Sequence, residues 1–142
     1  MHDRALLTGM DLVQAARGFL GTRFRHQGRL PGQGLDCAGV VVCAARAVGV
    51  AVHDVVGYGR LPDGDALPRH LATAGCKEIA LDDARPGDIY LMRFESDPQH
   101  LALVTDIGIL HAYADVGRVV EHRLDDVWRA RIVAAFRLPG VA

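Results

Sequence analysis

The fold of this chain follows from one segment, Gly34-Leu-Asp-Cys-Ala-Gly-Val-Val-Val-Cys-Ala-Ala-Arg46. Asp36 has the side chain of a strong helix N-cap, and the residues behind it, from Cys37 to Val48, are apolar almost all round. Gly49 follows where such a helix can end. A helix that is apolar on every side is buried, so we expect the rest of the domain to pack around this one.

The remainder of the first half predicts a helix, a loop and a second, short helix. The first helix is expected at about 10–20, closed by Gly21, because its apolar residues recur with helical period. They are Leu12, Val13, Ala16, Phe19 and Leu20. The glycine-rich segment 22–35 reads as a loop. Start and stop signals at Asp65, Pro68 and Gly75 predict a short helix at about 65–74.

The second half changes to the short apolar runs that are typical of strands. These runs lie at 88–94, 100–106, 109–113, 119–123 and 132–138, and Asp125 is expected to cap one helical turn that contains Trp128. Helices followed by strands predict an α+β domain, with N-terminal helices packed on one face of a C-terminal antiparallel meander. At 142 residues and 15.3 kDa, the whole chain, 1–142, is expected to be one domain.

Charge and hydropathy exclude several classes of partner. A net charge of -1 and a pI near 6.6 remove the electrostatic basis for binding nucleic acid or anionic membranes. The most apolar run ends at Arg46, well short of the roughly 20 residues that a membrane span needs. The N-terminus has no signal-peptide pattern, so we expect synthesis in the cytoplasm, with any export by another route.

Cys37 is the most informative residue because it opens the central helix. Unpaired backbone N–H groups and the helix dipole favour a thiolate there, and later an oxyanion. This is a nucleophile's position, although cysteine is also among the residue types most often buried in cores. Cys43 and Cys76 are expected to be packing residues. Three cysteines without C-x-x-C spacing predict neither a disulfide framework nor a zinc ribbon.

A thiol nucleophile needs an imidazole within hydrogen-bond reach and a polar group that orients it. His100 and His111 lie on successive predicted strands and share one face of the sheet. Pairing His111 with Ala102 makes the histidines diagonal neighbours, about 7–8 Å apart between backbones. Pairing it with Val104 separates them by roughly 13 Å. We therefore predict the first register, or a bulge that achieves it.

The other histidines have no partner pattern and are expected at the surface: His2, His53, His70 and His122. The ligand types of Cys37, His100 and His111 also suit zinc. No short-range ligand pair supports a metal site, so none is predicted.

Five motifs follow one another along the chain: Phe19-Leu-Gly-Thr-Arg-Phe-Arg-His-Gln-Gly28, Gly34-Leu-Asp-Cys-Ala-Gly-Val-Val41, Arg85-Pro-Gly-Asp-Ile89, Gln99-His-Leu-Ala-Leu-Val104 and Ile109-Leu-His-Ala112. Together they resemble the motifs of the NlpC-type cell-wall peptidases, the small bacterial and phage branch of the papain-like cysteine peptidases. The resemblance spans nearly the whole chain. Within it, Phe24-Arg-His-Gln-Gly-Arg29 resembles the branch encoded in phage and gene-transfer-agent tail modules.

The resemblance implies a papain-like fold without a cofactor, in which Cys37 is the nucleophile, His100 the general base and His111 the residue that orients it. Asp36 matches an acidic residue that in relatives contacts the free amine of the peptidoglycan stem peptide.

The chain departs from the family in the loop before the cysteine. Relatives usually carry a tyrosine there, whose hydroxyl assists the oxyanion. Here the corresponding positions are Phe24, His26 and Gln27, so that hydroxyl is missing. His26 or Gln27 is the expected substitute donor.

The residues and the resemblance together predict a peptidoglycan-hydrolysing cysteine endopeptidase that cuts stem peptides through a thioester. The resemblance also implies a phage or gene-transfer-agent tail component that acts in the periplasm or cell wall, with tail hub or fibre proteins as partners. Two alternatives stay open. One is a catalytically weak structural or adaptor subunit of a tail tip, and the other is a thiol acyltransferase or amidase on the same fold.

Overall fold

The computed structural model describes residues 6–54, 66–94 and 98–142. Its helices are α1 (Gly9–Arg17), α2 (Cys37–Ala47), α3 (Ala66–Thr73) and α4 (Asp126–Arg129). Its strands are β1 (Arg29–Leu30), β2 (Gly34–Leu35), β3 (Lys77–Ile79), β4 (Ile89–Arg93), β5 (Pro98–Val104), β6 (Ile109–Tyr113), β7 (Arg118–His122) and β8 (Ile132–Arg137). A 3₁₀ turn at Leu81–Asp83 precedes β4. Among these described helices, none is long and apolar enough to cross a membrane.

Six strands form one antiparallel sheet in the order β3-β8-β4-β5-β6-β7. The predicted meander is present from β4 to β7, but the prediction that β8 extends it was wrong. After β7, helix α4 turns the chain back, and β8 pairs with β4 on one side and β3 on the other. In this position Phe136 and Leu138 reach the core. The α+β class is confirmed.

Two features of the first half differ from the prediction. Helix α1 is capped by Thr8 in a capping box with Asp11 and ends with Gly18 as its C-cap, so the expected end at Gly21 was wrong. Phe19 lies beyond the end of the helix but is still buried. The helical spacing of apolar residues in the sequence therefore continues past the helix itself. The segment 22–35, predicted as a loop, contains the two-residue ribbon of β1 and β2.

The other predicted helices form as expected. Helix α2 lies at the centre of the core, where Val40 and Ala44 are at most 1% exposed. Helix α3 ends just before Gly75, whose φ of 87° suits glycine, while the expected cap Asp65 lies outside the described residues. Asp125 caps α4 by accepting a hydrogen bond from the Trp128 N–H at 2.9 Å.

The sheet buries both of its faces against different partners. Leu101 and Leu103 of β5 belong to the main core, together with α1 and α2. Ala102 belongs instead to a smaller cluster on the opposite face, which Trp128 of α4 flanks. Because side chains alternate along a strand, His100 lies on the same face as Ala102.

Two glycines bring α1 directly onto the backbone that leads into β4. A Cβ on Gly9 would overlap the carbonyl oxygen of Pro86, and a Cβ on Gly87 would overlap the Cα of Gly9. Gly87 also has a φ of 95°, in the left-handed region that favours glycine. The packing of α1 on the sheet therefore depends on a missing side chain at Gly9.

Replacing Gly9 by alanine tests this close approach. We expect Gly9→Ala to lower the free energy of unfolding by about 1–3 kcal/mol, since the added methyl group forces backbone to move. Urea unfolding of this variant should be compared with Gly18→Ala, because Gly18 is exposed with an ordinary φ of -66°. Equal stability of the two variants would contradict the assignment of a tight α1–β4 contact.

Candidate active site

Cys37 is the first residue of α2 and is partly exposed, as its predicted position at the mouth of the helix requires. Asp36 caps the helix by accepting a hydrogen bond from the Gly39 N–H at 2.7 Å. A Cβ on Gly39 would overlap the carbonyl oxygen of Gly28, so the preceding loop lies directly on the first turn. The loop and the helix therefore place the thiol together.

The β5–β6 ladder opens next to this thiol. Its last pair toward the open end is Leu103 with Leu110. Backbone N–H groups alternate in direction along a strand, and those of Leu103 and Leu101 both face β6. Beyond the last pair, the Leu101 N–H lies close enough to the Cys37 sulfur to lower the pKa of that thiol. The Cys37 sulfur therefore lies against β5, next to Leu101, which follows His100 in the chain.

Burial raises the pKa of Cys37 to about 12, and the adjacent Asp36 carboxylate acts in the same direction. The N–H groups of Leu101 and Ala38, followed by the guanidinium of Arg29, lower this pKa by smaller amounts. The free protein therefore holds a thiol at neutral pH. Burial therefore opposes the thiolate that the helix N-terminus is expected to favour.

His100 and His111 are hydrogen-bonded to each other, with His100 Nε2 2.6 Å from His111 Nδ1. Both residues are buried, at 5% and 0% exposure. Continuing the register of Leu103 and Leu110 by one residue places His111 opposite Ala102. The predicted register is therefore confirmed.

His122 was expected to lie at the surface without a partner, and the expectation that it has no partner was wrong. Its ring is half-buried, with Nε2 2.9 Å from His111 Nε2 and Nδ1 2.9 Å from the carbonyl oxygen of Arg123. His111 pairs with Val120 across the β6–β7 ladder, so His122 is its diagonal neighbour. The same strand alternation that places His111 beside His100 also places His122 beside His111, so the sequence contains the signal for His122.

His100 and His111 are both neutral at neutral pH. Burial, with a further contribution from His122, lowers the pKa of His111 to about 3. Burial lowers the pKa of His100 well below its ordinary value, and His111 and Arg131 act in the same direction. The resting site thus pairs an uncharged thiol with uncharged imidazoles, and a neutral imidazole can accept a proton.

Aromatic rings surround the imidazoles on the face opposite α2, and sequence reasoning did not find this arrangement. Ring centroids of Tyr113 and Trp128 lie 5.6 and 5.1 Å from that of His111, and Phe94 lies 5.0 Å from His100. The guanidinium of Arg131 stacks on Trp128 and Phe94, at 4.4 and 4.8 Å from their ring centroids. These rings exclude water from the two histidines.

Asp36 holds the preceding loop as well as the helix. It is 4% exposed, its Oδ1 lies 2.9 Å from an Arg29 guanidinium nitrogen, and its Oδ2 accepts from the Gln27 N–H at 2.9 Å. Gln27 has a φ of 60°, which is uncommon outside glycine, so this hydrogen bond stabilises a strained backbone. The structure shows the capping role of Asp36, and contact with a substrate amine stays a prediction.

The loop narrows the choice of oxyanion donors. The Cys37 N–H, at the first position of α2, has no acceptor within the helix and can serve as one donor. Phe24 packs against the core and offers no hydroxyl. The backbone N–H of Gln27 is used by Asp36, which leaves the side chain of Gln27 or His26 as the predicted second donor.

Among the described residues, Cys43, Cys76, His53 and His70 do not belong to this cluster. Cys43 is buried in the main core and Cys76 packs against it, as predicted. His53 is exposed as expected, His70 is half-buried, and His2 lies outside the described residues. Within the described ranges no three histidine, cysteine or carboxylate side chains are arranged to hold a metal ion.

Comparison with known proteins identifies a family and several solved structures that this chain resembles. The model of the NlpC/P60 family matches residues 21–137. The NlpC/P60 domain of the peptidoglycan hydrolase SagA aligns with a TM-score of 0.65 at 19% identity, covering 93% of this chain and 100% of that chain. The P60 domain of an antigen from M. avium subspecies paratuberculosis aligns with a TM-score of 0.64 at 17% identity, covering 94% and 96%.

A third solved structure is the peptidoglycan hydrolase RipB from Mycobacterium tuberculosis. It aligns with a TM-score of 0.61 at 19% identity, covering 91% of this chain and 63% of that chain. At such identities these likenesses show the fold alone, and they confirm the predicted papain-like α+β class. No curated protein matches the chain.

The lowered pKa of His111 predicts how stability depends on pH. In the unfolded chain a histidine binds a proton near pH 6.5, whereas folded His111 stays neutral down to about pH 3. Its contribution to stability is therefore complete above pH 6.5 and is lost as the pH falls toward 3. Between pH 6 and 5, the free energy of unfolding of the wild type should fall by about 1.2 kcal/mol more than that of His111→Gln.

Urea unfolding at several pH values checks this prediction. Above pH 7.5 both states of His111 are neutral, so the two stability curves should run parallel there, which serves as the internal control. Identical slopes below pH 6 would show that His111 is protonated in the folded state.

Proposed function

Because the chain belongs to the NlpC/P60 family, we propose that it is a cysteine endopeptidase that hydrolyses the stem peptides of peptidoglycan. The observation that carries this proposal is the Cys37 thiol near the N–H of Leu101, the residue that follows His100 in β5, together with the hydrogen bond between His100 and His111. A thiol, a neutral base and a polar group behind that base are the parts of a catalytic triad.

The first half of the reaction forms a thioester. Cys37 gives its proton to His100 as its sulfur attacks the amide carbonyl carbon, because the free thiol is un-ionised. The carbonyl oxygen becomes an oxyanion that the Cys37 N–H and the N-terminus of α2 stabilise. When the C–N bond breaks, the leaving amine takes the proton back from His100, and the acyl group stays on sulfur.

The second half returns the enzyme to its starting state. His100 removes a proton from water as the water oxygen attacks the thioester carbonyl. Collapse of this second tetrahedral intermediate breaks the C–S bond and releases a carboxylic acid. The proton on His100 goes to the Cys37 sulfur, so no cofactor or external proton is consumed.

Substitution of the three triad positions tests the proposal. Cys37→Ala should abolish release of peptides from purified peptidoglycan, and His100→Ala should lower the rate by about 10²–10⁴-fold. His111→Ala should retain partial activity, since it acts through His100. Products are measured by liquid chromatography and mass spectrometry, which also identify the bond that is cut and separate hydrolysis from acyl transfer.

Cys43→Ala is the matched control for these variants, because it removes a core thiol that lies six residues beyond Cys37 in α2 and outside the proposed triad. It should remain active, and circular dichroism should show that every variant folds. Undiminished hydrolysis by Cys37→Ala would refute the assignment.

A catalytically weak structural subunit is the second candidate function, and one observation favours it. Phe24 supplies no oxyanion donor, and loss of one such donor costs about 10²–10³-fold in rate in other hydrolases. This candidate predicts that the wild type hydrolyses peptidoglycan no faster than Cys37→Ala does, so the same assay separates it from the first.

A finer proposal concerns the place of action. We propose that the chain is a phage or gene-transfer-agent tail component, made in the cytoplasm and acting at the cell wall, with hub or fibre proteins as partners. The form of Phe24-Arg-His-Gln-Gly-Arg29 supports it. Purified particles from the producing cells should contain the protein in their tail fraction, detected by mass spectrometry. Its presence only in particle-free fractions would contradict this role.

A further inference from the structure

His100, His111 and His122 form one continuous chain of hydrogen bonds. Its outer end, at His122, is bonded to a backbone carbonyl oxygen, which can only accept a hydrogen bond. His122 Nδ1 lies 2.9 Å from the carbonyl oxygen of Arg123. A carbonyl oxygen cannot donate, so His122 Nδ1 carries a hydrogen. In neutral His122, Nε2 is then the unprotonated nitrogen.

The direction of every other bond in the chain follows from this first one. Unprotonated His122 Nε2 must accept, so His111 Nε2, 2.9 Å away, carries a hydrogen and donates it. His111 is neutral, which leaves its Nδ1 as an acceptor for a hydrogen on His100 Nε2, at 2.6 Å. His100 Nδ1 is thereby left without a hydrogen, in the state that a general base requires.

The backbone holds the outer end of the chain in place. His122 pairs with Ile109 in the β6–β7 ladder. A Cβ on Gly108 would lie 2.7 Å from the Cα of Arg123, so the two backbones touch where the carbonyl is presented. The ring centroid of Trp128 lies 5.0 Å from that of His122 on the other side. The acceptor at Arg123 is thus a fixed part of the sheet edge.

We propose that His122 is a positioning residue which, acting through His111, selects the tautomer of His100 that can accept the proton of Cys37. This inference rests on the proposed function for its catalytic consequence, whereas the tautomers themselves can be measured without any substrate. It assigns a role to a fourth residue, which touches neither the substrate nor the thiol.

The proposal makes opposite predictions for side chains that accept and side chains that only donate at position 122. Glutamine offers an amide oxygen to His111 Nε2–H and an amide N–H to the Arg123 carbonyl. Lysine can only donate, so it would force His111 Nε2 to accept and would reverse the chain, leaving a hydrogen on His100 Nδ1. Phenylalanine offers neither, and the chain would lose its preferred direction.

The test is ¹⁵N-detected NMR of the histidine rings at pH 8, on the wild type and on His122→Gln, His122→Lys and His122→Phe. The wild type and His122→Gln should show a hydrogen on Nε2 of both His100 and His111. His122→Phe should show mixed tautomers at His111, and His122→Lys the reversed ones. His53→Phe is the matched control, because His53 is exposed and outside the chain.

Kinetics on soluble stem peptides complete the test. In His122→Phe, kcat should fall by about tenfold, less than the roughly 10⁴-fold cost of a wrong tautomer beside the base itself, while KM changes little. His122→Gln should restore most of the rate, which a purely structural role for the imidazole would not allow.

Two results would overturn the proposal. One is a hydrogen on His111 Nδ1 in the wild type. The other is a His122→Phe variant whose His100 and His111 tautomers match those of the wild type. Failure of the proposed function looks different, because a wild type that releases no peptide while showing the expected tautomers removes the peptidase assignment and leaves the order of hydrogen bonds intact.

Discussion

The site depends on the close approach of the Cys37 sulfur to the Leu101 N–H, beyond the last pair of the β5–β6 ladder. A fully paired ladder would use that N–H for β6 and leave no place for the thiol. Because the strands separate after Leu103 and Leu110, the start of α2 reaches the sheet and the His100–His111 pair forms in the same opening. The positions of the Cys37 thiol and of the two imidazoles therefore share one structural cause.

Desolvation dominates the electrostatics of this opening. It raises the pKa of Cys37 to about 12 and lowers those of His100 and His111, so every group that takes part in the proposed proton transfer rests in its neutral form. A charged pair would interact more strongly but would lose more hydration. In the proposed reaction, negative charge develops on the oxyanion, where the N-terminus of α2 can stabilise it. Preorganised dipoles lower an activation barrier when charge is present in the transition state but not in the resting state.

The sequence predicts those parts of the site that depend on local pattern. Asp36 and the apolar run behind it determine where α2 begins, and the alternation of β5 and β6 with a two-residue turn determines the register of His111. The position of β8 beside β4 was not predictable in this way, since it joins segments about forty residues apart and depends on how α4 turns the chain. The aromatic surroundings were missed for the same reason, because Trp128 reaches His111 only after that turn. His122 was missed for a different reason. The strand alternation that predicts His111 from His100 across the β5–β6 turn also predicts His122 from His111 across the β6–β7 turn.

The proposed mechanism requires that the substrate becomes covalently attached to the sulfur of Cys37. Acid quenching of the protein during turnover of soluble stem peptides, followed by peptide mass spectrometry, measures this directly. The account predicts an acyl adduct on the peptide that contains Cys37, removable by hydroxylamine, with Cys43 and Cys76 unmodified. Turnover with an adduct on any other residue, or a lasting absence of adduct on Cys37 under conditions that trap thioesters, would contradict it.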